Sequence, residues 1–192
     1  MSEVPPIQQP AVKVRYFSTF QLILLALFAA LIVVAKVALR LPLQMPGHSG
    51  IFWMAIMIVG AGVVSKPGAP SLIGLTSGIL AAFLGLGDGG AVDTFLSYTA
   101  VGSGTDLALL LLGRNPEKLV AVPAAVFGHF CRFLVKWGLS VIIGAPVGFV
   151  ALGLARSMIG YVLFGALGGL LGGLTLIALR RAGFFAYLAE KR

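Results

Sequence analysis

Long apolar segments alternate with short stretches rich in glycine, proline and charge along the chain of 192 residues. A helix needs about 20 predominantly apolar residues to cross a bilayer, and the polar stretches leave six apolar segments, of which the second and third are short. The predicted spans are residues 17–39, 51–64, 71–86, 94–112, 119–143 and 157–179. The pattern predicts an all-α integral membrane protein, folded as a six-transmembrane-helix bundle.

The chain divides into a long apolar part and two short polar ends. Residues 1–16 are predicted to be a disordered cytoplasmic lead, residues 17–182 a membrane domain and residues 183–192 a basic cytoplasmic tail. The first apolar segment runs directly into Lys36 without a small-residue cleavage site, which favours a retained span over a signal peptide. Only 10% of the residues are charged, against about a quarter in soluble domains, so no separate soluble domain is expected.

Lysine and arginine collect on one side of the predicted bundle. If the N-terminus is cytoplasmic and the chain crosses six times, only Arg40 and Arg156 fall near the outer face. The cytoplasmic set is Lys13, Arg15, Lys66, Arg114, Lys118, Arg180, Arg181, Lys191 and Arg192. This bias predicts two cytoplasmic termini in a multi-pass protein of the cell membrane. Because topology accounts for the net charge of +8, the expected surroundings are the lipid bilayer, and no nucleic acid is expected as a partner.

The fifth segment carries His129, Arg132 and Lys136 within an otherwise apolar run. Spacings of three and four residues place these side chains on one face of a helix. A charge at the bilayer centre costs roughly 2.5–3.5 kcal/mol on insertion scales, so this face is expected to point into the bundle. There it would meet a polar ligand, a counter-charge or both. The alternative is an ion-pair network that only fixes helix packing.

Asp106, in the fourth segment, is the expected partner of Arg132. Asp106 and His129 are expected to form the inner polar floor of a site, with Tyr98 and Ser103 nearby on the fourth segment. Lys36 and Lys136 lie further out, where their long side chains can also snorkel to the interface. If the cations point inward, one aspartate cannot neutralise them all, and the site would attract a carboxylate or phosphate from outside.

The loop before the second segment contains His48, and Trp53 follows at the start of that segment. These two side chains are predicted to act as a lid and a stacking surface over a substrate; the alternative is a solvated histidine and an interfacial tryptophan. Asp88 and Asp93, in a glycine-rich outer loop, are expected to be solvated. The chain shows no metal-ligand set with suitable spacing, no phosphate-binding loop and no nucleophile elbow, so no metal, cofactor or enzymatic activity is predicted.

Several short motifs give the chain a family resemblance. Its six predicted spans and the spacing of Ala26 and Ala30 resemble the substrate-binding membrane subunits, or S components, of energy-coupling-factor transporters. The likeness is closer to the hydroxymethylpyrimidine or thiamine-precursor branch. It is carried by Gly50-Ile51-Phe52-Trp53, by the turn Lys66-Pro67-Gly68-Ala69 and by the glycine-rich sixth segment. The hydropathy likeness covers nearly the whole chain, and the motifs cover a small part of it.

The resemblance implies a subunit that captures a vitamin or precursor in an outward-facing pocket. It implies docking on a membrane scaffold subunit and two cytoplasmic ATPase subunits, with Ala26 and Ala30 facing the scaffold. The intramembrane excess of cations departs from the thiamine type, because thiamine is itself a cation, and leaves a neutral pyrimidine or an anionic precursor open. Two alternatives remain: a stand-alone secondary transporter with Asp106 and His129 as a proton relay, and a small membrane enzyme or assembly factor.

Overall fold

The computed structural model describes residues 16–39, 45–87, 89–114, 116, 120–144 and 147–185. These residues form six helices and no strand, which confirms the predicted all-α class for the described part of the chain. The helices are α1 (Thr19–Ala38), α2 (Gly50–Val63), α3 (Ala69–Phe83), α4 (Gly90–Leu112), α5 (Ala121–Ile142) and α6 (Val147–Arg181). The predicted lead before Tyr16 and the predicted tail after Phe185 lie outside the described residues.

Four of the helices, α1, α4, α5 and the part of α6 from Gly153, are long and apolar enough to cross a membrane. The helices α2 and α3 are apolar but shorter, with 14 and 15 residues. The composition and length of the four long helices indicate a membrane protein.

Two predicted boundaries are wrong. The sixth segment was predicted to begin at residue 157 after an outer loop, but α6 begins at Val147 and has 35 residues. Pro146 is the last proline of the interrupting stretch, and the alanines and leucines that follow favour a helix although Gly148 and Gly153 lie among them. The fourth segment was predicted to begin at residue 94, but α4 begins at Gly90 and therefore includes Asp93 in its first turn.

The helix α2 lies inside the bundle. Its neighbours are α1, α3, α5 and α6. Around it, α1 packs on α3, α3 on α4, α4 on α5 and α5 on α6. Eleven of the 14 residues of α2 are buried. A helix that is apolar on every side is expected in the interior, so the composition of α2 explains its central position.

Glycines allow the helices to approach closely, as the spacing of four residues between Gly165, Gly169 and Gly173 in the sixth segment predicts. A Cβ on Gly169 would lie 2.7 Å from the Ala121 carbonyl oxygen of α5, and one on Gly168 would lie 2.7 Å from Cβ of Met54 in α2. The helix α6 thus presents one row of small residues to α5 and a second row to α2. A Cβ on Gly74 would lie 2.7 Å from Cα of Gly102, which fixes the contact between α3 and α4. Such contacts are typical of membrane helices.

The start of α2 is deep in the bundle. A Cβ on Gly50, its first residue, would overlap the ring of His129 in α5. From His129, α5 continues for 13 residues (142 − 129) to Ile142, which corresponds to roughly 20 Å of helix. Because α2 begins beside His129, it does not occupy the centre of the bundle along this last part of α5.

Replacing Gly102 with alanine should destabilise the protein, because the new methyl group would meet the Pro70 carbonyl oxygen and Cα of Gly74. Overpacking of this kind typically costs about 1–3 kcal/mol. The control is Gly138→Ala in α5, where a Cβ meets nothing within 4 Å. The thermal unfolding midpoint of the purified protein in detergent should fall for Gly102→Ala and stay or rise for Gly138→Ala. Equal midpoints for the two variants would contradict the close contact of α3 and α4.

Candidate functional site

A cavity of about 560 Å³ lies beyond the start of α2. Its walls come from the end of α1, the segment before α2, the segment after α3, the second half of α5 and one residue of α6. The described lining residues are Lys36, Leu39, Met45, Pro46, Gly47, His48, Ser49, Gly85, Leu86, Gly87, Arg132, Lys136 and Tyr161. We call this end of the bundle the cavity end.

The charged side chains in the described lining are all cations: Lys36, Arg132 and Lys136. Arg132 and Lys136 lie one and two helical turns beyond His129 on α5, so the predicted cationic face of this helix does point into the bundle. Lys36 comes from the last turn of α1. The described part of the cavity wall includes no aspartate or glutamate, and its electrostatic potential therefore favours a negatively charged guest.

The guanidinium of Arg132 lies at the bottom of the cavity. Its Cζ is 4.9 Å from the ring centroid of Trp53 and 5.7 Å from that of Tyr98, distances at which a cation and an aromatic face attract. The residue is only 6% exposed. Its Nε and Nη1 atoms are buried and have no hydrogen-bond partner among the described residues. Such buried donors normally have a partner, so Arg132 has capacity for a further hydrogen-bond acceptor.

Trp53, Tyr98 and His129 form an aromatic layer beneath Arg132. The rings of Trp53 and Tyr98 are stacked, with centroids 5.4 Å apart, and the His129 ring meets Trp53 edge-on at 5.2 Å. The three side chains are buried and do not line the cavity. The structure therefore places these three predicted site residues behind the arginine rather than at the cavity surface.

Loop residues 45–49 pack against α6 and the ring of His129. The Nδ1 atom of His129 donates a hydrogen bond to the Tyr161 carbonyl oxygen at 2.9 Å. Gly160 of α6 meets the Pro46 carbonyl oxygen closely enough that a Cβ would overlap it. His48 lines the cavity, as predicted, and its Nδ1 donates to the Met45 carbonyl oxygen at 2.7 Å.

Lys136 is held by an acidic side chain at the rim. Its Nζ lies 2.8 Å from Oδ2 of Asp93 in the first turn of α4, and Oδ1 of Asp93 accepts a hydrogen bond from Ser97 at 3.3 Å. Asp93 was predicted to be a solvated loop acid. This prediction is wrong, because α4 begins at Gly90, three residues before Asp93, and the side chain is buried. Both residues line a second cavity of about 280 Å³, whereas Lys136 alone of the two is in the described lining of the first cavity.

Asp106 belongs to a different part of the molecule. Its carboxylate accepts hydrogen bonds from the Gly68 backbone N–H at 2.7 Å and from Ser71 at 3.0 Å, and pairs with Arg114 at 3.0 Å. The predicted Asp106–Arg132 pair is therefore wrong. Gly68 follows the end of α2, whereas the cavity lies beyond its start, and a helix of 14 residues is roughly 21 Å long.

The Asp106 carboxylate instead fixes the turn after α2. Gly68 has a φ of +86°, a conformation that favours glycine, and its N–H points to Asp106. On the other side of the turn, Lys66 donates to the Tyr16 carbonyl oxygen at 2.7 Å and the Tyr16 hydroxyl donates to the Pro67 carbonyl oxygen at 3.2 Å. The Lys-Pro-Gly-Ala turn is thus tied to the starts of α1 and α3 and to the end of α4.

The remaining predicted residues lie on the surface of the bundle. Ser103 of α4 is exposed and does not line the cavity. Ala26 and Ala30 are exposed on α1, amid an apolar surface that includes Ile23, Leu27 and Val34. Of the eight predicted substrate-binding residues, the structure places His48, Arg132 and Lys136 in the cavity lining.

The site also contains residues that the sequence predictions left out. Tyr161 and the glycines of residues 85–87 line the cavity, and Asp93 neutralises Lys136. Lys36, for which the sequence left both an inward and an interfacial position open, also lines the cavity. The need for a counter-charge to the face of α5 was a signal for Asp93, but its position in a glycine-rich stretch pointed to a solvated loop.

Replacing Asp93 with asparagine should lower stability, because Lys136 would lose its counter-charge. The loss should be smaller than the roughly 3–5 kcal/mol of a fully buried pair, since the lysine side chain is 27% exposed. In a double-mutant cycle of Asp93→Asn and Lys136→Met, the unfolding midpoints should show that the second change recovers part of the first loss. Additive losses would mean that the pair does not interact.

Comparison of the chain with models of protein families, with curated proteins and with solved structures found no match. Its site is described by the geometry alone: a cavity at one end of an apolar bundle, with a buried arginine at its base, a lysine–aspartate pair at its rim and a histidine-containing loop at its side.

Proposed function

We propose that this chain is the membrane-embedded substrate-binding subunit of an ATP-driven importer for a vitamin or cofactor precursor. It captures the substrate in the cavity from the extracytoplasmic side of the cell membrane and passes it on after docking to a membrane scaffold subunit and two cytoplasmic ATPase subunits. The substrate classes that the sequence leaves open are a thiamine-related pyrimidine and a small anionic precursor.

The observation that carries this proposal is the cavity beyond the start of α2. Ligand sites are typically concave and hold a few well-placed polar groups among apolar ones. Here Arg132 and Lys136 lie where the surrounding helices are apolar, and intramembrane charges of this kind usually serve a ligand or transport pathway. The volume of about 560 Å³ is within the range of pockets for small organic molecules.

The distribution of charge supports the orientation. Lys66 and Arg114 lie at the end of the bundle opposite the cavity, with the turn after α2 and the end of α4. Basic residues near the ends of spans favour the cytoplasmic side, so the cavity end would be extracytoplasmic. The Asp106–Arg114 pair and the Lys66–Tyr16 contact tie together the cytoplasmic end in this arrangement.

The surface of α1 supports a membrane partner. Ala26 and Ala30 are exposed four residues apart, and small side chains at this spacing allow another helix to approach closely. The family resemblance predicts that these same two positions contact the scaffold subunit. The rest of this face is apolar, as a surface that alternates between lipid and another membrane helix requires.

The geometry gives less support to a proton relay through Asp106 and His129. Asp106 contacts the turn after α2, while His129 contacts Gly50 at the start of that helix. Their hydrogen bonds go to different groups, and no described bond connects them. A secondary transporter of this design would need a path along α2, which is a buried apolar helix.

Purification of the tagged chain from the membranes of its host should recover a second integral membrane protein and two ATPase subunits. Uptake of the substrate into cells should require an intact ATP-binding site in those ATPases. Transport by the purified chain alone in vesicles would identify a stand-alone carrier, and turnover of a substrate by the isolated chain would identify an enzyme.

The double variant Ala26→Leu/Ala30→Leu should separate capture from docking. Larger side chains would hold the scaffold away from α1, so co-purification of the partners should fall severalfold, while ligand binding by the isolated chain stays unchanged. The control is Ala178→Leu, at an exposed position of α6. Unchanged partner recovery from the double variant would place the scaffold contact elsewhere.

A further inference from the structure

Arg132 has a charge that the described protein does not balance. The salt bridges among the described residues join Lys136 to Asp93 and Arg114 to Asp106. Arg132 takes part in neither salt bridge, although only 6% of its surface is exposed. A buried ion without a counter-charge is unfavourable, and the cation–π contacts with the two aromatic faces beneath Arg132 offset only part of that cost.

The backbone adds positive potential at the same place. Residues Met45–Ser49, which lead directly into α2, line the cavity, so the N-terminal end of this 14-residue helix adjoins it. The N–H groups of Gly50 and Ile51 donate to the carbonyl oxygens of Gly47 and His48, so the helix contributes its dipole to this region. Helix N-termini carry a partial positive charge and attract anions. Arg132 and the start of α2 therefore act on the same region of the cavity.

The arrangement of the aromatic rings limits how a ligand can bind there. Trp53 was predicted to stack on a flat substrate ring, but Trp53 and Tyr98 are stacked on each other and both have the Arg132 guanidinium over them. Their faces are therefore not available at the cavity surface. A ligand that reaches the base of the cavity meets a cation with unused donors, and this geometry selects for charge rather than for ring stacking.

We propose that the cavity binds a small organic anion, with a carboxylate or phosphate group that accepts hydrogen bonds from the Arg132 guanidinium next to the N-terminal end of α2. The guanidinium has a planar set of donors that fits either group. Lys36 at the cavity wall adds to the favourable potential, and Asp93 neutralises Lys136. This assignment rests on the proposed capture function and names the class of substrate, which excludes thiamine and neutral pyrimidines as the natural ligand.

The test uses the intrinsic fluorescence of Trp53, because the Trp53 ring is in contact with Arg132. The second tryptophan, Trp137, is 42% exposed on α5, and Trp137→Phe removes its signal from the full-length protein. This variant, purified in detergent, is titrated with inorganic phosphate, 5-hydroxymethylpyrimidine, the phosphate ester of that alcohol and pyrimidine-5-carboxylate, at constant ionic strength. The last three probes share a ring and differ in charge, and the two acids distinguish phosphate from carboxylate recognition.

We expect saturable changes in Trp53 emission with the phosphate ester or the carboxylate, and a weaker response to inorganic phosphate. The neutral alcohol should give no saturable change. Arg132→Gln should weaken anion binding by about ten- to a hundredfold, the loss that corresponds to a charged hydrogen bond. Arg181→Gln, at an exposed position in the last turn of α6, should bind as tightly as the parent.

Removal of a buried arginine can also disturb folding, so two further variants accompany it. Arg132→Lys keeps the charge but loses the planar donor set, and should bind anions with intermediate affinity. Lys36→Gln removes a second cation from the cavity wall, and should weaken anion binding while the size-exclusion profile stays that of the parent. Equal affinity of Arg132→Gln and the parent for the anions would overturn the role of Arg132.

Two results would overturn the anion class: binding of the neutral alcohol as tightly as its phosphate ester, or no response to any of the three anions. Either result leaves the importer role open, because that role is tested by the recovery of the ATPase subunits. Conversely, a chain that binds the anions but purifies without ATPases from its host would retain the substrate class and lose the importer role.

Discussion

The position at which α2 begins is the constraint on which the site depends. Because α2 is apolar on all sides and short, it lies in the middle of the bundle, and its first residue, Gly50, packs on the ring of His129. The helix α5 continues for roughly 20 Å past this contact. The space above α2 is lined by the loop before it, and the next two inward positions of α5, Arg132 and Lys136, face that space. Any side chain at residue 50 would push the loop and the histidine apart.

The polar groups of this apolar chain fall into two clusters with different roles. At one end of α2, the Asp106 carboxylate binds the Gly68 N–H, Ser71 and Arg114 and fixes the turn; its hydrogen bonds are with protein groups. At the other end, Arg132 has buried donors without described partners and a cavity above it. Buried polar groups stabilise a fold when they are satisfied and cost free energy when they are not. Arg114 also has a buried Nε without a described partner, but its charge is paired with Asp106. The candidate binding site is the cluster in which the buried cation has no described counter-charge and adjoins a cavity.

Several parts of this arrangement could be predicted from the sequence. The apolar segments gave the helix class, the glycine spacing in the sixth segment gave its close contacts, and the spacing of Arg132 and Lys136 gave an inward cationic face. The partners of the charges were not predictable in the same way. Asp106 was expected to meet Arg132 because the two have similar depths along their helices, but depth does not determine the direction in which a side chain points. Asp93 was missed because the start of α4 depends on local backbone geometry around Gly90, which has a φ of +87°.

Sequence by itself determined what kind of molecule this is: hydropathy and the rarity of charge require apolar helices, and a cation within such a helix has to face inward. The tertiary structure alone decided which cation has a partner. Lys136 is neutralised by Asp93, 43 residues away in the chain, while Arg132 lies over Trp53 and Tyr98 from two other helices. Contacts of this kind depend on the rotation and depth of each helix in the bundle. Those are set by the packing of small residues across several interfaces at once, and no local pattern in one segment contains that information.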